Sequence, residues 1–258
     1  MNDFKRALGF SCTDTDYELS RISKIGRFKT GKTNLIHRNF GFVDSESFIN
    51  QFIEIFRNDI LFFKTNKPNP LIIDCGSNVG VSVCYFKNIF PSSRILAFEP
   101  DLEIFSVLEQ NTRRFDPSEV EIHNKAVWTE ETNLSFQPNG ADGGRLLRLG
   151  EQSVSAVRLS DYLQTKVNML KIDIEGAEKF VLPSIAENLK NVEHLFLELH
   201  VEENEPELLE RTCLLLREQG FRYKIDTVGS VSFKSFQDRD SYFMQMNIYA
   251  VNENFGSY

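Results

Sequence analysis

The stretch Leu71-Ile72-Ile73-Asp74-Cys75-Gly76-Ser77-Asn78-Val79-Gly80 sets the reading of the whole chain. A short apolar run ends at an acid and opens into a glycine-bearing turn, the pattern of a buried strand entering a helix. The helix runs to about Phe90. Arg94 to Phe98 is the next strand, Leu102 to Phe115 the next helix and Val120 to Val127 a third strand. Short connections between alternating strands and helices predict a parallel sheet covered on both faces, the doubly wound α/β architecture.

The rhythm breaks after the third strand. Leu134-Ser135-Phe136, Asn139-Gly140, Gly143-Gly144 and Val154 to Leu159 predict an extra β excursion. Alternation resumes with a strand at Val167 to Asp173, a helix from about Ala177 to Leu189 and a strand at Glu193 to His200. A helix from Pro206 to Gln219 ends before Gly220. Phe221 to Ile225 and Tyr242 to Val251 then follow without a helix between them, which suits an antiparallel pair at a sheet edge.

The composition shifts at Lys67-Pro68-Asn69-Pro70, so residues 1–66 read as a helical, aromatic-rich cap segment and 67–258 as the main domain. Within the cap, Asp44 is placed to cap a helix from Ser45 to Arg57, with Phe48, Phe52, Ile55 and Phe56 on one face. A net charge of −8 argues against a nucleic-acid surface. No apolar run is long enough for a membrane span, and the first ten residues lack a leader's apolar core, so a cytoplasmic location is expected. Cys12, Cys75, Cys84 and Cys213 are scattered without metal-ligand spacing and read as ordinary thiols.

Five strand ends carry candidate chemistry. The loop Asp74, Gly76, Ser77, Asn78, Gly80 lies where open α/β sheets bind ligands, and its glycines allow close approach of a ligand to backbone. It lacks both the G-x-G-x-x-G spacing and the phosphate-binding lysine, which excludes pyrophosphate and triphosphate cradles. Its leading acid suits a ligand with an ammonium group. Glu99, before Pro100 and 25 positions after Asp74, is placed to accept hydrogen bonds from ribose hydroxyls. A ribose without a pyrophosphate is what S-adenosylmethionine presents. Ala126 and Val127 end the third strand, where an adenine ring makes apolar contacts. Lys171, Asp173, Glu175 and Glu178 crowd the fourth strand end, and buried charge at that density is paired or functional. His200, two residues after Glu198, is the candidate general base. Asp173, Glu198 and His200 also form a candidate ligand set for a divalent metal, which the sequence does not require.

Ile73 to Gly80, Ala97-Phe98-Glu99-Pro100, Asn124 to Trp128 and Lys171 to Glu178 resemble, in order and spacing, the FkbM family of methyltransferases. The likeness covers roughly residues 70 to 225, and the Lys-Ile-Asp-x-Glu-Gly-Ala-Glu element is its most specific part. It implies a seven-stranded sheet with the last strand antiparallel, S-adenosylmethionine as donor, and O-methylation of a sugar or natural-product hydroxyl. It also implies that Asp74, Gly76, Asn78, Glu99 and Asn111 contact the cofactor, that Asp142 reaches its adenine side, and that Asp173 and Glu175 stand at the methyl-transfer end. Ser77 replaces the alanine common in family loops.

The expected reaction is methyl transfer from S-adenosylmethionine to a small-molecule or glycan hydroxyl. His200 would act as base, oriented by Asp173 or Glu198, while Glu175 and Glu178 hold sugar hydroxyls. Two rivals differ in class. A nicotinamide dehydrogenase needs the missing pyrophosphate loop, and a non-catalytic S-adenosylmethionine-binding protein would not need the acid cluster at 171–178.

Overall fold

The computed structural model describes residues 12–137, 145–146, 152–202, 204–228 and 243–255. Its centre is a seven-stranded sheet of β3 (Leu71–Cys75), β4 (Arg94–Phe98), β5 (Val120–His123), β10 (Val167–Ile172), β11 (Val192–Glu202), β12 (Phe221–Thr227) and β13 (Phe243–Asn252). Their order is β12-β13-β11-β10-β3-β4-β5. β3 pairs in parallel with β4 on one side and β10 on the other, so the strand order reverses between β3 and β10. β13 runs antiparallel to both β11 and β12 and separates them. This is the mostly parallel sheet, with one antiparallel final strand, that the alternation and the helix-free ending predict.

Period-2 alternation sends successive strand residues to opposite faces. Ile73, Leu170 and Leu195 join one core, and Ile72, Met169 and Phe196 the other. Helices α3 (Val81–Ile89), α4 (Leu102–Thr112), α5 (Glu178–Ser184) and α6 (Leu208–Glu218) connect the strands. Before them come α1 (Cys12–Ser23), the β1 (Gly31–Thr33) and β2 (Phe40–Phe42) hairpin, and α2 (Ser45–Phe52). Asp44 caps α2 as expected, its Oδ2 accepting from the Ser47 N–H at 2.9 Å. Phe42, Phe48, Phe52, Phe56 and Tyr85 then form a chain of rings with successive centroids 5.1, 6.1, 5.4 and 5.4 Å apart. Tyr85 lies in α3, so this ladder fixes the N-terminal segment to the second core. Truncating one such ring to alanine costs about 3–5 kcal/mol.

Three local expectations are corrected. The helix from Asp44 changes to a π turn at Ile53–Arg57, where the Asn58 N–H reaches the Ile53 carbonyl at 2.9 Å. The third strand divides, because the Asn124 amide donates to the carbonyls of Glu99 and Pro100, both at 3.0 Å, and draws the chain out of the sheet. The part beyond, β6 (Ala126–Trp128), instead joins β7 (Thr132–Gln137), β8 (Arg145–Leu146) and β9 (Gln152–Arg158) in a second sheet of order β6-β9-β7-β8. The β excursion is therefore a sheet of its own; its Asn139-Gly140 and Gly143-Gly144 turns lie outside the described residues. Finally, the helix after β10 is broken: α5 contains Pro183 and gives way to a 3-10 segment at Ala186–Asn191.

Among the described residues no helix is long and apolar enough to cross a membrane. Cys75 and Cys84 are buried free thiols, and burial pushes both up, Cys84 to about 12, so neither is a reactive thiolate.

Candidate active site

A cavity of about 360 Å³ opens at the carboxyl ends of β3, β4, β10 and β11, the switch point of the sheet. Gly76, Ser77, Asn78, Glu99, Pro100, Ala126 and Val127 line one part of it; Lys171, Asp173, Glu175, Glu198 and His200 line another. The structure thus gathers most of the sequence-predicted site into one space.

The first part is built by the turn after β3. Gly76 has φ +86°, and a Cβ there would lie 1.8 Å from the Asp173 carbonyl oxygen. A Cβ on Gly80, φ +90°, would lie 2.8 Å from Leu108. Both glycines answer to neighbouring protein atoms rather than to a ligand, and Gly80 does not line the cavity. Asn78 also takes positive φ, +46°, a strained conformation at a cavity wall. Its N–H donates to Glu99 Oε2 at 3.0 Å, and the Asp101 N–H donates to Oε1 at 2.9 Å. Each Glu99 oxygen keeps a further acceptor site, so a diol fits this carboxylate. Burial outweighs the two N–H donors and pushes Glu99 up to about 8.

Asp74 and Asn111 sit elsewhere than expected. Asp74 is fully buried beneath the loop, its Oδ2 accepting from Ser82 Oγ at 2.5 Å and its Oδ1 3.3 Å from Lys171 Nζ. Asn111 is buried between segments. Its amide nitrogen donates to the carbonyls of Gly41 and Val79 at 2.9 and 2.8 Å, and its oxygen accepts from the Gly41 N–H at 2.7 Å. It fastens β2 to the glycine loop from outside the cavity. Asp142 lies outside the described residues.

The second part centres on two buried cations. Lys171 Nζ donates to the Gly76 carbonyl at 2.8 Å and to Asp173 at 3.2 Å, with Asp74 close by. Burial lowers its pKa, but Asp173 and Asp74 more than offset this and raise it, so Lys171 stays charged and is no base. His200 is 3% exposed, with Nδ1 3.3 Å from Glu178 and Nε2 3.5 Å from Glu175 and 3.7 Å from Glu198. Burial pulls the imidazole down, yet Glu178, Glu175 and Asp173 carry it up to about 9. It must lose that proton before it can serve as a base. Burial raises Glu198 to about 8, with Asp173 adding to the rise; Gln245 donates to Glu198.

Glu178 is the residue whose place the sequence did not disclose. It is fully buried and does not face the cavity, so it is not available to hold sugar hydroxyls. Its oxygens accept from the Ile174 and Gly176 N–H groups, both at 2.9 Å, and it orients His200 in place of Asp173 or Glu198. Oxygens of Asp173 and Glu175 and a ring nitrogen of His200 lie within 4.8 Å of one another, spacing compatible with a divalent cation. Glu175 thus takes the place that the sequence reading gave to Glu198. Asn50, Gln51 and Glu54 of α2 and the π turn also line the cavity. They are the polar remainder of a helix whose phenylalanines supplied the only periodic signal.

Residues 74–223 match the methyltransferase FkbM domain. "Methyltransferase 1" of Beauveria bassiana is 31% identical over 140 residues, covering 43% of this chain and 56% of that protein. The hexuronic acid methyltransferase AglP of Haloferax volcanii is 24% identical over 147 residues, covering 54% and 60%. The 2-O-methyltransferase NoeI of Sinorhizobium fredii is 23% identical over 157 residues, covering 51% and 64%. The chain spans less than two thirds of the length of each of these three relatives. The crystal structure of the FkbM methyltransferase from Methylobacillus flagellatus superposes with a TM-score of 0.50 at 13% identity, over 92% of this chain and 59% of that one, a likeness of fold. With the domain pattern matched over more than half of its residues, this chain belongs to the FkbM methyltransferase family.

Proposed function

We propose that this protein is an S-adenosylmethionine-dependent O-methyltransferase whose acceptor is a hydroxyl group, most suitably of a sugar in a glycan or glycan precursor. One observation carries the reading: a single cavity joins the Glu99 carboxylate and glycine turn, at the ends of β4 and β3, to His200 on β11, which Glu178 holds from behind. Bound S-adenosylmethionine supplies an electrophilic methyl group, so the protein has to position the acceptor and remove a proton. Glu99, held by the Asn78 and Asp101 N–H groups, binds the ribose, Ala126 and Val127 border the adenine, and the Lys171–Asp74–Asp173 ion cluster holds the two loops in register. Glu178 fixes the imidazole through its Nδ1, and once the ring has given up its own proton, Nε2, which lies beside Glu175 and Glu198, takes the hydroxyl proton. The name of the Haloferax relative, a hexuronic acid methyltransferase, supports a sugar as acceptor, and that of the Sinorhizobium relative, a 2-O-methyltransferase, supports transfer to oxygen.

The test is acceptor-dependent formation of S-adenosylhomocysteine by the wild type and by His200→Gln, across neutral, amino and acidic glycosides and small phenols. Turnover by the wild type with a loss of about 10²-fold or more in the variant fits general-base catalysis. Full activity in His200→Gln removes His200 from the mechanism.

A further inference from the structure

The cavity wall supplied by α2 and the π turn bears on how the acceptor is recognised, an inference that rests on the methyl-transfer reading. Asn50, Gln51, Glu54 and Ile60 line the cavity, and all four precede the FkbM domain match at 74–223. What family members share, the methyl donor, is met by the matched domain; the segment before it is free to serve what is particular to this chain. Asn50 and Glu54 stand four residues apart with Gln51 between them, so the three leave one polar face of the helix. The opposite face is pinned to α3 by the ring ladder from Phe48 through Phe52 and Phe56 to Tyr85. Beyond it, the Ile60 N–H donates to the Glu54 carbonyl and the Tyr85 hydroxyl to Asp59, both at 3.2 Å. A π turn inserted in a helix at a cavity wall is a frequent mark of a functional site.

The place of Glu54 over the sheet assigns this wall to one end of the cavity. Burial raises the Tyr249 phenol, and the charges of Asp226, Glu54 and Glu198 add to the rise, so Glu54 and Glu198 stand near the same ring. Tyr249 lies on β13 opposite Phe196 of β11, which lines the cavity, the two rings 5.5 Å apart. β13 is four steps along the sheet from β4, whose end carries Glu99, about 19 Å at the usual strand spacing. The wall therefore stands beside Glu198 and His200 and away from the ribose carboxylate. Among the described residues the Asn50 and Gln51 side-chain amides are bonded to no protein group. Each amide offers donors and an acceptor, and Glu54 offers acceptors. That mixture matches neighbouring hydroxyls, each of which both gives and takes a hydrogen bond, while Ile60 suits the apolar face of a pyranose ring.

We propose that α2 and the π turn form the acceptor-recognition wall, and that Asn50, Gln51 and Glu54 hold the hydroxyls of a pyranoside that flank the one methylated. Saturation-transfer NMR on the full chain loaded with S-adenosylhomocysteine tests this with the methyl glycosides of glucose, glucosamine and glucuronic acid. The wild type should bind at least one of them. Gln51→Ala and Glu54→Gln should each weaken the tightest of these about fivefold or more, the loss of one ligand hydrogen bond. Calorimetric affinity for S-adenosylhomocysteine should stay within about twofold, and the thermal midpoint within about 2 °C, since neither side chain belongs to a core. Unchanged glycoside binding in either variant, S-adenosylhomocysteine affinity lost in step with glycoside affinity, or no glycoside bound by the loaded wild type overturns the proposal. Wild-type protein that does not bind S-adenosylhomocysteine would instead count against the methyl-transfer reading.

Discussion

Gly76→Ala probes the frame of the site. In the native turn, a Cβ at this position would stand 1.8 Å from the Asp173 carbonyl oxygen, far inside contact distance, and φ is +86°. The left-handed conformation alone costs a non-glycine residue about 1–2 kcal/mol. Relieving the overlap pushes the β3 and β10 loops apart and strains two bonds between them. These are the Asp173 N–H to the Cys75 carbonyl at 3.1 Å and Lys171 Nζ to the Gly76 carbonyl at 2.8 Å. Their loss costs about 1 kcal/mol for the amide bond and about 1.5–3 kcal/mol for the charged one. The total, about 4–6 kcal/mol, approaches the whole stability of many domains. Thermal unfolding followed by circular dichroism should show a midpoint roughly 10–20 °C lower, or no folded protein. A variant with an unchanged midpoint that has lost only ligand binding would refute the reasoning, since the glycine would then serve the ligand and not the Asp173 carbonyl.

Asn111→Ala should destabilise the fold by about 2–4 kcal/mol in denaturant titration, because three backbone groups of Gly41 and Val79 lose their partner. A loss under about 0.5 kcal/mol would show that the amide is dispensable. Glu178→Gln keeps the shape but faces a backbone N–H or the imidazole with an amide donor. Turnover should fall about 10²-fold while S-adenosylhomocysteine affinity stays within about threefold; equal losses of both would make Glu178 purely architectural. Glu99 is pushed up to about 8, and the proposed ribose contact uses its ionised form, so S-adenosylhomocysteine affinity should weaken by up to about tenfold per pH unit below that value. Calorimetry from pH 6 to 8.5 checks this, and a flat profile would contradict it. Under the proposed mechanism His200 takes the proton without a metal, so prolonged chelator treatment should leave turnover within about twofold. Loss restored by a divalent cation would instead give Asp173, Glu175 and His200 the role of metal ligands.

The sheet was legible because its signals are local. Buried parallel strands such as Arg94–Phe98 carry a continuous apolar run, here Ile95 to Phe98, and the turns between them carry glycine or proline. Glu99 and His200 could be found because strand ends in this architecture converge on one point. The rest depends on contacts between residues far apart in sequence. Nothing near Gly76 announces the Asp173 carbonyl, and nothing near Asn111 announces Gly41. Asn124 ends β5 through the carbonyls of Glu99 and Pro100, which the apolar pattern of residues 120–127 conceals. Pro183 was visible and should have shortened the helix after β10. Glu178 belonged to a recognised acid cluster, but only burial separates a residue that orients from one that faces the ligand. The polar side chains of the N-terminal segment were hidden behind its phenylalanines.

The central claim is that the cavity holds S-adenosylmethionine through Glu99. Calorimetric titration of the wild type and Glu99→Ala with S-adenosylmethionine and S-adenosylhomocysteine tests it most directly. The account predicts binding of both ligands by the wild type and a loss of about 10²-fold or more in the variant, the worth of two charge-assisted hydrogen bonds. Folded wild-type protein that binds neither ligand, or Glu99→Ala that binds as tightly as the wild type, would contradict it.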